Sequence, residues 1–156
     1  MFQNAARPKA LFIMLLHLLR KLLTTDRLNK WDIKVEPKCS LCQSCDETRE
    51  HLFVQCTYTR VVWNRVLQWV QLQNYYPATW DQHQQWLIKH SGGKSLRAQI
   101  FKMLSTKVVH AIWIERNRRI FEKLSKNWEA VTKEIVYVTC VRAPPRFHHF
   151  LHSLVF

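Results

Sequence analysis

Three cysteines and one histidine at fixed spacing constrain the fold of this chain more than any other feature of its sequence. Cys39, Cys42, His51 and Cys56 form the pattern C-x2-C-x8-H-x4-C. Two cysteines two residues apart direct both sulfurs at one ion, and a histidine and a third cysteine at the start of the next helix can complete a tetrahedron that suits zinc. Four protein ligands leave no position for a reacting water, so we expect one structural zinc ion.

The ligand assignment has one open point, which is Cys45. Cys42 and Cys45 have the same two-residue separation as Cys39 and Cys42. We favour Cys39 and Cys42, and we treat Cys45 as a spectator or a substitute ligand. Unligated thiols or a redox pair are the alternative for the whole segment.

The cysteine count and the amino-terminal apolar run indicate an intracellular protein. Five cysteines are an odd number, whereas a secreted disulfide framework usually has an even one. The apolar run 10–19 is too short to span a bilayer, and Arg20 and Lys21 follow it instead of a cleavage site. We therefore expect a thiol-reducing compartment and no membrane, with nucleus and cytoplasm both open.

Helical periodicity dominates the rest of the chain, which has only two glycines. The expected fold is mostly α: a small helical domain with a zinc-stapled Cys/His loop, followed by a helical extension. The predicted helices are 8–23, a short one capped by Thr25 or Asp26 and ending at Trp31, 58–72, one beginning at Thr79 and ending before Ser91-Gly92-Gly93, 94–124, and one capped by Asn127 and stopped by Ala143-Pro144-Pro145. We divide the chain into a zinc-binding domain (8–72), a helical carboxy-terminal region (79–143) and tails (1–7 and 144–156).

A net charge of +13 favours an anionic partner, and we expect RNA or DNA. The candidate nucleic-acid contacts are Lys34, Lys38, Arg49, Arg60, Arg116, Arg118, Arg119 and Lys123. For the second half of this set the alternative is a solvated helix face, because Glu115 lies four residues before Arg119. Trp63 has the spacing to stack a base, but packing in the core is the favoured interpretation, as it is for Trp31, Leu52 and Phe53.

Catalysis on phosphates is not expected from this chain alone. Its four aspartates are scattered, with no pair that would hold two magnesium ions. Ser91-Gly92-Gly93-Lys94 lacks the remaining residues of a phosphate-binding P-loop. We expect no small-molecule substrate, and Cys140 lies on the periodic face of a helix, as an inert core thiol would.

An ordered series of short motifs resembles a known family. It runs from Pro8-Lys9 before an apolar helix, through Leu23-Thr24-Thr25-Asp26-Arg27-Leu28 and Trp31, to Cys-x-Leu-Cys, Glu47-Thr48, His51-Leu52-Phe53, Cys56 and Val62-Trp63. Together these look like the reverse-transcriptase zinc-binding domain of plant LINE-type (non-LTR) retroelements, over about residues 8–66. A second patch, 112–121, is similar to the Trp-x-x-Arg-Asn-x-x-x-Phe segment that often follows in these proteins.

The resemblance implies zinc ligation by Cys39, Cys42, His51 and Cys56. The chain departs from the family in the additional Cys45, in a first helix with leucine or methionine where an aromatic residue is expected, and in the absence of a polymerase palm with paired aspartates. With these departures the chain looks like a detached, non-catalytic accessory module of such an element. Its positive charge leads us to expect that the module binds nucleic acid without sequence specificity. The alternative is a helical protein-interaction module that docks a polymerase partner or self-associates.

Overall fold

The computed structural model describes residues 7–156, and its regular structure is helical. The α-helices in this range are α1 (Pro8–Leu18), α2 (Thr25–Lys30), α3 (Thr57–Trp69), α4 (Trp80–Ser91), α5 (Leu96–Asn117), α6 (Trp128–Arg142) and α7 (Pro145–His152). Two π-helical turns, His51–Gln55 and Arg118–Glu122, precede α3 and follow α5. A single bridge between Lys38 and Asp46 is the β pairing of the described residues. The mostly α fold is therefore confirmed.

Helix starts follow the capping chemistry of the sequence. Pro8 occupies the first turn of α1, where its missing N–H is not needed. The side chains of Thr79, Ser95 and Asn127 accept hydrogen bonds from backbone N–H groups three residues ahead, at 3.3, 3.2 and 2.8 Å. Asn127 is the cap expected from the sequence, and Thr79, predicted as the first residue of its helix, is the cap of α4.

Three helices end earlier than their apolar periodicity suggests, and all three end in the same way. Arg20, Asp32 and Gln71 adopt left-handed backbone conformations, with φ between 57° and 60°. The residue that follows each of them donates to a carbonyl five residues back, for example Lys21 to Leu16 at 2.7 Å. Glycine is the usual residue here, but this glycine-poor chain has arginine, aspartate and glutamine at these positions, so the sequence did not indicate where the helices end.

The long central helix α5 organises the core. It packs against α1, α3, α4 and α6, and one cluster of buried side chains extends from Leu22 to Leu151. Side chains from both 8–72 and 79–143 enter this cluster. The domain boundary placed between these segments stays a prediction.

The carboxy-terminal segment differs from the predicted tail. Residues 145–152 form α7, which buries Phe147 and Leu151 against the core. The i, i+4 spacing of these two residues places them on one helix face. Of the other predicted tail, 1–7, only Arg7 lies within the described residues.

None of the helices described for residues 7–156 combines the length and the apolar character needed to cross a membrane.

Candidate metal centre

The structure brings together the four side chains favoured by the sequence. The ligand atoms of Cys39, Cys42, His51 and Cys56 all lie within 4.8 Å of one another. The sulfurs of Cys39 and Cys56 are 3.9 Å apart, and the Cys42 sulfur lies 3.2 Å from His51 Nε2. A tetrahedral zinc ion would separate two sulfurs by about 3.8 Å and a sulfur from a nitrogen by about 3.6 Å. The donor set and its spacing therefore fit one zinc ion.

The first two cysteines are held by a tight turn. The Cys39 N–H donates to the Cys45 carbonyl at 2.8 Å, and the Gln43 N–H donates to the Cys39 carbonyl at 2.9 Å. These bonds close the loop between the bridge residues Lys38 and Asp46. Cys45 supplies a backbone acceptor, and its exposed thiol is not in the four-residue cluster.

The other two ligand candidates are His51, the first residue of a π-helical turn, and Cys56, which directly follows that turn. This turn is not among the elements predicted from the sequence. The Cys56 N–H donates to the His51 carbonyl at 2.7 Å, a bond across five residues instead of four. Thr48 precedes the two α-helical residues, 49–50, that lead into this turn, and its hydroxyl accepts from the His51 N–H at 2.9 Å. Five residues on an α-helix would separate the two side chains by about 140° around the axis, and the wider turn brings them to one side.

Neighbouring groups act on the thiols of the cluster. A hydrogen bond to the Cys56 sulfur, together with burial, raises the pKa of Cys39. The backbone N–H groups of Cys42 and Leu41 act in the opposite direction and lower it, but by less. The same hydrogen bond lowers the pKa of Cys56, and the N–H groups of Thr59 and Tyr58 act in that direction too. Backbone donors directed at sulfur are the environment in which a thiolate is favoured.

A buried ion pair fastens the loop to α5. Arg116 Nη2 donates to Glu47 Oε1 at 2.6 Å, and its Nε lies 3.1 Å from Oε2. The same carboxylate accepts from the Thr25 N–H at 2.9 Å. Arg116 is 2% exposed and cannot reach a phosphate, so the structure contradicts its place among the nucleic-acid contacts.

Arg119 fastens the loop at a second point. Its Nη1 donates to the carbonyls of Ser40 and Leu41 at 3.1 and 3.0 Å, and its Nε donates to Glu115 at 2.8 Å. Its guanidinium also lies 4.8 Å from the centre of the Tyr58 ring. With these partners Arg119 supports the loop, and we withdraw it as a nucleic-acid contact. We refer to Arg116 and Arg119 as the arginine clamp.

The remaining candidates have varied surroundings. Arg60 donates to the carbonyls of Val54 and Pro77 at 3.2 and 2.9 Å, which also indicates a structural role. Arg118 lies 3.7 Å from Glu122, and Lys38 lies 3.2 Å from Asp46. Lys34 and Lys123 are exposed, and Arg49 is half-buried.

The two tryptophans near the loop have opposite surroundings. Trp63 is buried and stacks on Tyr75 with the rings 5.4 Å apart, which confirms core packing. Trp31 is 55% exposed, so the expectation of core packing is wrong for this residue. It stands at the end of α2, where the chain turns out of the helix.

Comparison with known proteins gives one informative match. Neither the curated proteins nor the solved structures contain a significant match to the chain. The model of a family described as zinc-binding in reverse transcriptase matches residues 1–63. This range includes all four clustered side chains and ends within α3. The amino-terminal part of the chain is thus similar to a reverse-transcriptase zinc-binding domain.

Proposed function

We propose that this chain is a zinc-binding accessory module, derived from a retroelement reverse transcriptase of the plant LINE type, that binds nucleic acid without sequence specificity and has no catalytic activity of its own. The observation that carries the proposal is the Cys3His cluster within the segment that matches the family model. The ion would be a single structural Zn²⁺. The described cysteines are free thiols, which suits an intracellular compartment.

Metal content of the purified protein tests the first part of the proposal. We expect one zinc per chain, lost in Cys39→Ser and His51→Ala and retained in Cys45→Ser, whose exposed thiol makes it a matched control. Metal retained in Cys39→Ser but lost in Cys45→Ser would contradict the ligand assignment. A metal-free wild-type protein with an unchanged melting curve would contradict the zinc site.

The salt dependence of binding tests the second part. Lys and Arg total 24 against 11 acidic residues, so we expect affinity for single-stranded RNA or DNA to fall steeply as salt rises. The measurement is fluorescence anisotropy of a labelled oligonucleotide at several salt concentrations. No binding at low salt, or a flat salt response, would refute nucleic-acid binding.

A second candidate function has its own supporting observation. Phe12 and Leu15 on α1 and Leu19, the residue directly after this helix, follow one another at helical spacing and are at least half exposed. An exposed apolar stripe of this kind suits a protein partner or a second copy of the chain. Light scattering distinguishes these cases, because self-association would be lost in Phe12→Ser with Leu19→Ser, and a monomer at all concentrations would exclude the second copy.

A further inference from the structure

A basic groove lies beside the zinc loop, between α2 and the residues that follow Thr48. It has a volume of about 310 Å³ and is lined by four cationic side chains, those of Arg20, Arg27, Lys30 and Arg49, together with the indole of Trp31. Of these five residues only Arg49 is among the nucleic-acid contacts predicted from the sequence. The groove is therefore a feature that the fold assembles from separate parts of the chain.

The indole of Trp31 is the first unusual feature of this groove. More than half of its surface faces solvent, although the chain buries five of its seven tryptophans. The Arg27 guanidinium lies 5.6 Å from the ring centre. Asp32, in the left-handed conformation, ends α2 directly after Trp31 and fixes the backbone there. An exposed aromatic ring on a fixed backbone, beside cations, is suited to stack an unpaired base.

The cations of the groove are the second unusual feature, because they outnumber the two acids that line it, Asp26 and Glu50. Asp26 accepts from the Thr24 hydroxyl, and Glu50 accepts from the Trp80 N–H at 2.8 Å. Within residues 7–156, Arg27, Lys30 and Arg49 form no ion pair with a carboxylate. Four cationic and two acidic side chains therefore leave the groove with an excess of positive charge.

Arg49 most clearly needs an anion. Its Nε is buried without a hydrogen-bond acceptor, and its guanidinium lies over the Trp80 ring at 4.7 Å. The neighbouring Arg20 pairs with Asp81 at 2.9 Å, whereas Arg49 has no carboxylate partner within residues 7–156. A phosphate oxygen in the groove would supply the missing acceptor and offset the repulsion between like charges.

We propose that this groove binds single-stranded nucleic acid, with an unpaired base stacked on Trp31 and a backbone phosphate held by Arg49 and Lys30. The inference rests on the proposed function and adds the place and the form of the ligand. Stacking on an exposed indole requires a base that is free of a duplex, so single strands bind more tightly than duplexes of the same sequence.

The experiment measures binding of labelled RNA and DNA oligonucleotides of about 12 nucleotides, single-stranded and duplex, to the full zinc-loaded chain. Trp31→Ala is compared with Tyr137→Ala, which removes an exposed ring from α6. Lys30→Gln with Arg49→Gln is compared with Lys94→Gln with Arg97→Gln, a pair of exposed residues that carries the same loss of charge. Circular dichroism and zinc content confirm the folded state, and Lys30→Gln with Arg27→Gln replaces the first pair if Arg49→Gln does not fold.

We expect Trp31→Ala to weaken single-strand binding about tenfold and Tyr137→Ala to leave it unchanged. The Lys30 and Arg49 pair should reduce the slope of log affinity against log salt by about 1.4, more than the control pair does. Wild-type binding with equal effects of groove and control variants overturns the groove but leaves the proposed function standing. Tighter binding of the duplex also overturns it, and a wild type that binds no nucleic acid overturns both.

Discussion

The Glu47 carboxylate is enclosed by donors from two distant parts of the chain. It accepts from the Thr25 N–H and from the Arg116 guanidinium, and both charged groups of the pair are almost completely buried. A buried charge without its partner is costly, whereas replacement of both partners by neutral groups costs far less. Arg116 therefore stabilises the loop only in combination with Glu47.

Arg116→Met should lower the free energy of unfolding by about 3–5 kcal/mol, because it leaves Glu47 buried and unpaired. Arg118→Met, in which the lost ion pairs are longer and partly exposed, should cost less than about 1 kcal/mol. Urea denaturation of both variants and of Glu47→Gln with Arg116→Met checks this. Equal losses for Arg116→Met and Arg118→Met, or a double variant less stable than Arg116→Met, would contradict it.

Two buried histidines make stability sensitive to acid. His17 Nε2 lies 2.9 Å from His83 Nε2, and the Tyr75 hydroxyl lies 2.8 Å from His83 Nδ1. Burial lowers the pKa of His83 to about 3, and burial together with the charge of His83 lowers the pKa of His17. The unfolded chain takes up protons at these rings below about pH 6.5, whereas the folded chain does not.

Stability should therefore be constant above about pH 6.5 with respect to these rings and fall as the pH decreases toward 3. His83→Gln should reduce the slope of unfolding free energy against pH by about 1.4 kcal/mol per pH unit between pH 5.5 and 4. His149→Gln, which removes an exposed ring, is the control and should leave this slope unchanged. The check is unfolding free energy against pH for the three proteins. Parallel curves for wild type and His83→Gln would contradict the prediction.

Sequence spacing predicts the ligand cluster because its four members lie within eighteen residues and depend on local turns. The same reasoning misassigned Arg116 and Arg119, since their partners Glu47, Ser40 and Leu41 are 69 or more residues away. Helical spacing shows that arginines share a face, but it does not show what covers that face. Tertiary contacts decided the roles of these side chains.

Helix positions were predictable where caps and apolar periodicity agree, and less so elsewhere. The predicted starts at Pro8, Thr79 and Asn127 agree with the structure to within a residue. The π-helical turn His51–Gln55 has no sequence signature, because it differs from an α-helix only in the length of its hydrogen bonds along the chain. Helix α7 was missed in the sequence because its three histidines obscure the apolar pattern. The signals that could have indicated it are the Pro in its first turn and the apolar pair Phe147 and Leu151.

Phe147→Ala should lower the free energy of unfolding by about 3–5 kcal/mol, because it leaves a cavity where α7 meets the core. Phe121→Ala removes the same ring from an exposed position and should change stability by less than about 0.5 kcal/mol. Thermal and urea denaturation of both variants measure the difference. A small effect of Phe147→Ala would show that α7 is dispensable for the core.

The arginine clamp and the shared core connect the zinc loop with the carboxy-terminal helices. Arg116 and Arg119 lie at the end of α5 and just beyond it, and α5 contacts four other helices. Loss of the loop would remove the partners of both arginines. The metal should therefore stabilise helices that contribute no ligand.

Chelation of zinc should expose the backbone amides of α5 to hydrogen exchange as well as those of the loop. Zinc binding in small peptides contributes about 10–16 kcal/mol at neutral pH, more than the net stability of most domains. Hydrogen exchange with mass spectrometry, before and after chelation, measures both segments. Faster exchange confined to 37–58, with α5 unchanged, would show that the two parts fold independently.

Arg116 follows Glu47 by 69 positions, and this separation sets the order in which the two partners are synthesised. At about 5–20 residues per second, Glu47 is complete roughly 3–14 s before its partner exists. During that interval the carboxylate lacks the guanidinium that pairs with it in the folded protein, so we expect water to hydrate it until Arg116 is made. Slow translation between residues 47 and 116 would lengthen the period in which the nascent chain is exposed to proteases and can be bound by chaperones.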